Sequence, residues 1–225
     1  MHIFDGTIKM NMNSNLNLAV LIDGDNITSI YIKEMFEEIA KYGNPTIKRI
    51  DGDWTKPHLS KWKNVLLENA ITPIQQYGYT TGKNATDSAM IIDAMDILYS
   101  GKVNGFCLVS SDSDFTRLAT RLREAGMQVI GIGEKKTPNP FIVACDKFVY
   151  IEILKSRTDK KEEDDEKISS KESVDKITAR EIKLIETSIS DLSDEEGWAF
   201  LGDVGSLIQK KRPNFDSRNY GFQKL

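Results

Sequence analysis

Aspartates with the chemistry of a metal site follow two apolar runs of the chain. The run LNLAVLI leads into Asp23, Asp25 and Asn26, and the run FCLVS leads into Asp112 and Asp114. Carboxylates that converge repel one another, so a cation or basic side chains must neutralise them. Oxygen ligands of this kind suit Mg²⁺ or Mn²⁺, whereas zinc usually recruits His or Cys. The fitting chemistry is metal-assisted displacement at phosphorus, in which the ion lowers the pKa of a water molecule.

A third acidic group lies in the segment KNATDSAMIIDAMDILY. Thr86 is a plausible cap for a helix there, which places Asp87 in the first turn, where its charge favours the helix dipole. Asp93 lies six residues further on, roughly 120° around the helix from Asp87. We therefore expect Asp93 to support a neighbouring group of the site rather than to share a ligand position with Asp87.

The elements that would position these groups alternate between strand and helix patterns, which indicates βα units around a largely parallel sheet. We predict five strands, at 16–22, 47–50, 71–75, 106–109 and 129–132, and four helices, at 31–42, 60–69, 87–99 and 115–125. Gly126 stands where the last helix needs a C-terminal cap. Ligand sites of such sheets lie beyond the carboxyl ends of the strands, which is where the acidic motifs fall.

A turn or helix cap is the alternative interpretation of each acidic motif taken alone, because Asp, Asn, Gly and Ser are the preferred turn residues. Ser110 and Ser111 fit a capping role equally well. Two strand ends and a helix start that all carry carboxylates at one edge of a sheet favour a shared metal site.

Composition limits the function classes. The 225 residues carry 30 basic and 34 acidic side chains, a net charge of −4, which argues against nucleic-acid binding by bulk charge alone. No run approaches the ~20 apolar residues of a membrane span, and the start of the sequence lacks the pattern of a signal peptide. Cys107 and Cys145 are far apart and suit buried thiols. We expect a cytoplasmic protein with no membrane contact and no organic cofactor.

The charge pattern divides the chain. Residues 155–175 hold 14 charged side chains in 21, which predicts a solvated linker, with a continuous charged helix as the alternative. Residues 16–154 form the predicted α/β domain and residues 176–225 a second module. The end of that module is basic, and Lys210, Lys211 and Arg212 suit either an RNA phosphate or a helix C-terminus.

The motifs VLIDGDN, GKNATDSAMIIDAMD, CLVSSDSDF and GMQVIGIG, in this order over residues 16–154, resemble the NYN domain, a branch of the PIN-like nuclease superfamily. The resemblance implies a PIN-like three-layer α/β sandwich with a mostly parallel sheet that cleaves RNA with Mg²⁺ or Mn²⁺. The residues that match the acidic, metal-binding and catalytic set are Asp23, Asp87, Asp112 and Asp114. Asn26 matches a polar residue that assists near the first aspartate, and Asp25 is an additional candidate. Where family members often have Gly-Val-Asp before the central helix, this chain has Asn84-Ala85-Thr86-Asp87.

Three basic residues near these motifs are candidates for contacts with the RNA backbone. Lys83 precedes the central helix, and Arg117 and Arg121 lie one turn apart beyond Asp114. Solvent-exposed side chains without a ligand are the alternative for all three.

The second module resembles the LOTUS (OST-HTH) domain, a small winged-helix fold associated with RNA binding. The resemblance lies in EEGWAFLGDVGSLIQKKRPNFDSRNYGFQKL, and it predicts a partial domain, because family members usually continue beyond the position of Leu225. The matching apolar positions are Trp198, Phe200, Leu201, Val204, Leu207 and Ile208.

These features together favour a divalent-metal-dependent ribonuclease with an RNA-binding module. One alternative is a catalytically inactive NYN scaffold that binds RNA or protein partners. A second is a haloacid-dehalogenase-like phosphohydrolase, with which Asp23 followed by Asp25 is compatible. The sequence leaves open whether the protein forms a homodimer.

Overall fold

The computed structural model describes residues 16–77, 85–154 and 175–224. Six strands form one parallel sheet: β1 (Asn17–Asp23), β2 (Asn44–Gly52), β3 (Thr72–Gln75), β4 (Gly105–Val109), β5 (Gln128–Gly133) and β6 (Lys147–Tyr150). The helices that connect them are α1 (Ile32–Ile39), α2 (Trp62–Asn69), α3 (Ala85–Ser100), α4 (Thr116–Glu124) and α5 (Asn139–Ala144). The predicted α/β fold with a mostly parallel sheet is therefore confirmed.

The strand order β3-β2-β1-β4-β5-β6 fixes where a ligand site can form. Chain order reverses between β1 and β4, which are hydrogen-bonded neighbours. In an open parallel sheet, the loops that follow two such strands diverge and leave a crevice at the carboxyl edge. The motifs that follow β1 and β4 therefore face each other across this crevice.

Helices cover both faces of the sheet, which gives three layers. On one face Ile32, Met35 and Trp62, from α1 and α2, pack against β1 side chains such as Val20. On the other face α3, α4 and α5 pack against the alternate side chains of the same strands, such as Leu21. Because both faces are covered, the central strands are apolar on both sides.

The predicted count of five strands was wrong, because β6 and the preceding helix α5 were missed. The strand has only four residues, Lys147–Tyr150, and it begins with a lysine. The three residues after the lysine, Phe148, Val149 and Tyr150, are aromatic or β-branched, so this short strand could have been recognised from the sequence. Gly126, the predicted cap, has a φ of +79° directly after α4, which confirms that prediction.

The C-terminal module consists of α6 (Ala179–Ser190), α7 (Leu201–Lys211) and a 3₁₀ turn at Ser217–Tyr220. Its own core is small and centres on Val204, Ile208 and Phe215. A core of this size stabilises a module of about 50 residues only weakly.

The module packs against strand β6, the edge of the sheet. The backbone N–H of Phe148 donates to the Pro213 carbonyl at 3.0 Å, and Lys147 Nζ donates to the Phe215 carbonyl at 3.1 Å. Asn214 Nδ2 also donates to the Tyr150 hydroxyl at 2.8 Å. An exposed strand edge offers unpaired hydrogen-bonding groups, so these contacts protect the edge as well as attaching the module.

A buried ion-pair network joins the module to α1. Both oxygens of Glu38, a side chain 1% exposed, accept hydrogen bonds from the Arg218 guanidinium, at 2.7 and 2.8 Å. Arg218 also pairs with Asp216 at 2.6 Å. Burial would raise the pKa of Glu38, but hydrogen bonds from Arg218 and Lys41 outweigh it and lower the pKa to about 2. The Glu38 charge therefore depends on the C-terminal module.

The predicted linker, 155–175, lies outside the described residues except for Asp175. That residue contacts both parts of the structure: its carboxylate pairs with Lys135 Nζ at 2.9 Å, and its N–H donates to the Asn219 carbonyl at 3.0 Å. None of the helices in the described ranges combines the length and apolar character needed to cross a bilayer.

Replacing Arg218 with Met is expected to destabilise the protein by about 3 kcal/mol at pH 7, because it leaves the Glu38 carboxylate buried without its main partner. The folded-state pKa of Glu38 is depressed, so its stabilising contribution is present above about 4.5 and is lost as pH falls towards 2. The difference between wild type and variant should therefore shrink between pH 7 and pH 3. Urea unfolding followed by circular dichroism measures it. Arg180→Met, an exposed arginine of the same module, is the control, and equal effects of the two variants would contradict the network.

Candidate metal centre

Asp23 lies at the end of β1 and is 1% exposed. Its Oδ2 accepts hydrogen bonds from Asn26 Nδ2 at 2.7 Å and from Ser110 Oγ at 2.8 Å, so groups that follow β1 and β4 orient the carboxylate together. Its Oδ1 is buried and has no hydrogen-bond partner among the described residues. Burial raises the pKa of Asp23, although the bonds from Asn26 and Ser110 oppose the rise. An oriented, half-satisfied buried carboxylate is suited to bind a cation.

The loop after β4 holds its two aspartates by capping interactions. Asp112 N–H donates to Ser110 Oγ at 3.0 Å, and Asp112 Oδ1 accepts from the N–H of Asp114 at 2.9 Å, which caps the 3₁₀ turn Ser113–Phe115. Ser111 Oγ accepts instead from Glu134 N–H at 2.9 Å. The turn chemistry that seemed an alternative to a metal site is thus the means by which the carboxylates are positioned.

Asp87 approaches these two aspartates from the first turn of α3. Asp87, Asp112 and Asp114 each offer a carboxylate oxygen, and these three atoms lie within 4.8 Å of one another. Burial, followed by repulsion from Asp23, Asp112 and Asp114, raises the pKa of Asp87 to about 6. We call these three residues the aspartate cluster. Asp23 is not in this group, but it lies near enough to repel Asp87.

Asp25 is engaged by other side chains. Its Oδ1 lies 3.2 Å from Lys56 Nζ and 3.5 Å from His58 Nε2, and its Oδ2 accepts from Thr86 Oγ1 at 2.9 Å. The prediction that Thr86 caps the central helix was wrong, because α3 already begins at Ala85 and the Thr86 hydroxyl is directed at Asp25.

Sequence reasoning missed Asp51, a fully buried carboxylate at the end of β2. Asp51 is the register partner of Asp23 on the neighbouring strand, and both of its oxygens are buried without a hydrogen-bond partner among the described residues. The signal was present in the sequence, since IDGD occurs at 22–25 and again at 50–53. Burial, together with repulsion from Asp93 and Asp23, raises the pKa of Asp51 to about 7, although Arg49 opposes the rise.

Asp93 lies deeper on α3 than the aspartate cluster. Its carboxylate forms an ion pair with Arg49 of β2, and its second oxygen is buried without a described hydrogen-bond partner. Burial raises the pKa of Asp93 in spite of Arg49. Asp93 and Asp51 thus extend the acidic region beneath α3, away from solvent.

The close approach of two loops requires Gly24. Its N–H donates to the Asp51 carbonyl at 2.8 Å, and a Cβ at this position would lie 2.9 Å from that oxygen. A larger residue would separate the β1 and β2 ends, which carry Asp23 and Asp51.

The basic candidates differ in their surroundings. Arg117 is exposed on α4, and Arg121 Nη2 donates to the Tyr99 hydroxyl at 3.4 Å. Lys83 lies outside the described residues. In the module, Lys210 is exposed. Its two neighbours form ion pairs there: Lys211 with Asp191 at 2.6 Å and Arg212 with Glu181.

Replacing Asp51 with Asn is expected to stabilise the metal-free protein at high pH. Because the folded-state pKa is raised from 3.8 to about 7, the stability linked to this proton is present below pH 4 and is lost as pH rises through 7. The cost of the charged form is about 4 kcal/mol at most.

Chemical unfolding in EDTA at pH 4.5 and pH 8.5 measures this effect. The stability of Asp51→Asn relative to wild type should increase between the two pH values. The exposed carboxyl Asp96, changed to Asn, serves as control. If Asp51→Asn is less stable than wild type at pH 8.5, the charged Asp51 carboxylate is stabilised in the folded protein, and the prediction is wrong.

Comparisons with known proteins agree with this architecture. The OST-HTH/LOTUS domain family model matches residues 172–225. The crystal structure of a protein of unknown function from Vibrio parahaemolyticus RIMD 2210633 is similar, with a TM-score of 0.50 and 18% identity, covering 63% of this chain and 96% of that chain; this likeness shows the fold alone. A search of curated proteins found no match. The NYN domain family model matches residues 17–152, more than half of the sequence, so the chain belongs to the NYN domain family of PIN-like nucleases and carries a C-terminal OST-HTH/LOTUS domain.

Proposed function

We propose that the protein is a divalent-metal-dependent ribonuclease that hydrolyses RNA phosphodiester bonds. The observation that carries the proposal is the aspartate cluster, whose oxygens lie within 4.8 Å of one another at the carboxyl edge of an NYN domain. Membership in the NYN family favours this function over that of a haloacid-dehalogenase-like phosphohydrolase.

The donor set fits Mg²⁺ or Mn²⁺. Every candidate ligand is a carboxylate oxygen, and Asp87, Asp112 and Asp114 are close enough to share one ion. The unpartnered Oδ1 of Asp23 adds a buried acceptor near the cluster. A bound divalent ion would neutralise the charge of these carboxylates and act as a Lewis acid on a phosphoryl oxygen.

The chain itself supplies orientation. Asn26 and Ser110 hold the Asp23 carboxylate, and the capping bond to Asp114 N–H holds Asp112. Asp87 is fixed by its place in the first turn of α3. Because ligands that are fixed in advance lose little freedom when the substrate binds, this arrangement favours a productive position of the phosphodiester.

The C-terminal module supports RNA as the substrate class, because LOTUS domains are associated with RNA binding. Its contacts with β6 and with Glu38 hold it at one position relative to the NYN domain. We infer that RNA bound by the module is presented from a fixed direction. The domain limits 16–154 and 176–225, a cytoplasmic location and a homodimer or protein partners stay predictions.

A cleavage assay on the purified chain tests the proposal. Labelled single-stranded and hairpin RNAs with Mn²⁺ or Mg²⁺ should be cleaved, and EDTA should stop the reaction. Asp112→Asn is expected to lower the rate more than about 100-fold. Removing a group that only hydrogen-bonds to a metal ligand costs about 10- to 100-fold in activity, and removing a ligand itself should cost more.

Asp96→Asn is the matched control, because Asp96 is an exposed aspartate of α3 outside the aspartate cluster. It should cleave RNA as fast as wild type. RNA binding without cleavage above the Asp112→Asn level, with every metal tested, would instead favour an inactive NYN scaffold.

A further inference from the structure

Lys56 and His58 form a basic pair beside the aspartate cluster. Both contact the same oxygen of Asp25, at 3.2 Å and 3.5 Å, while the other oxygen accepts from Thr86 Oγ1. Thr86 immediately precedes Asp87 in α3, and Asp25 contributes to the raised pKa of Asp87. The Asp25 carboxylate thus connects the loop after β1, the loop after β2 and the start of α3.

The loop that carries the pair is held in place by its own contacts. Lys56 N–H donates to the Asp53 carbonyl at 2.9 Å, and the Asp53 side chain accepts from Thr55 Oγ1 at 2.6 Å and from Gln75 Nε2 at 3.2 Å. Leu59, which follows the pair, is buried at 1% exposure and anchors the next turn. The basic groups therefore have a defined position at the rim of the site.

Asp25 does not use all the donors of these side chains. A lysine ammonium has three N–H groups, and the Lys56 side chain is 47% exposed while that of His58 is 53% exposed. The Lys56 ammonium therefore keeps N–H groups that Asp25 does not use, and the second ring nitrogen of His58 becomes a donor when the imidazole is protonated. An acidic cluster repels a polyanion, and a basic pair at its rim offsets that repulsion locally.

We propose that Lys56 and His58 bind a non-bridging oxygen of the RNA backbone next to the phosphodiester that is cleaved, and that Asp25 is a positioning residue for this pair. The inference rests on the proposed ribonuclease function. It gives Asp25 a role other than metal binding, and it assigns a substrate contact to a loop that contributes no carboxylate to the aspartate cluster.

The experiment measures RNA binding separately from cleavage. The full chain in EDTA is titrated against a fluorescein-labelled single-stranded RNA, and anisotropy is recorded at several salt concentrations. Lys56→Gln is expected to weaken binding about 3- to 10-fold and to reduce the slope of log Kd against log salt by about 0.7, the value for one phosphate contact on a single strand. Lys63→Gln, an exposed lysine of α2, should leave both unchanged.

The Asp25→Asn background separates substrate binding from simple neutralisation of Asp25. If Lys56 contacts phosphate, Lys56→Gln still weakens RNA binding when Asp25 is Asn. If Lys56 only neutralises Asp25, the substitution has no effect in that background, and this result would overturn the inference. Lys56→Arg, which retains the charge, should restore binding, and thermal unfolding checks that every variant is folded.

The outcomes also distinguish this inference from the ribonuclease proposal. In an active enzyme, Lys56→Gln should raise KM while kcat changes little. Cleavage with wild-type KM in Lys56→Gln and His58→Gln would refute the phosphate contact and leave the ribonuclease standing. RNA binding that depends on Lys56, in a protein that never cleaves RNA, would support the phosphate contact and refute the ribonuclease proposal.

Discussion

Aspartates at the carboxyl ends of β1 and β4 repel one another, and much of the local structure counteracts that repulsion. The strand order places the carboxyl ends of β1 and β4 side by side, and the first turn of α3 brings Asp87 close to Asp112 and Asp114. Hydrogen bonds from Asn26 and Ser110 partly compensate Asp23, and Lys56 compensates Asp25. Within the aspartate cluster, burial and repulsion from the neighbouring carboxylates raise the pKa of Asp87 to about 6. A charge arrangement that costs stability is typical of a functional site.

The relation between the two domains follows from a second buried charge. Glu38 belongs to the NYN domain but has its guanidinium partner in the C-terminal module, which also covers the edge of β6. Removal of the module would take away the Arg218 guanidinium and leave Glu38 with Lys41 and Tyr42 as its described side-chain partners. The module has a small core of its own, so its stability in turn depends on its contacts with the NYN domain. We infer that the two domains fold as one unit and act in a fixed relative position.

Strands, helices and strand-end aspartates could be predicted because each has a local signal: apolar runs, helical spacing and turn residues. The surroundings of those aspartates could not, since they depend on residues far apart in sequence. Asp25, an additional candidate in the sequence, contacts Lys56 and Thr86, which lie 31 and 61 residues away along the chain. The attachment of strand β6 to the C-terminal module is of this kind, because it joins Lys147 to the Phe215 carbonyl. Asp51 differs, because its IDGD motif repeats that of Asp23 and could have been recognised.

Calorimetric titration of the purified protein with Mn²⁺ examines metal binding at the aspartate cluster without requiring a substrate. We expect saturable binding to wild type and to Asp96→Asn, and binding that is weakened or lost in Asp87→Asn and Asp112→Asn. Absence of saturable binding to wild type, or equal binding to all four proteins, would contradict this expectation.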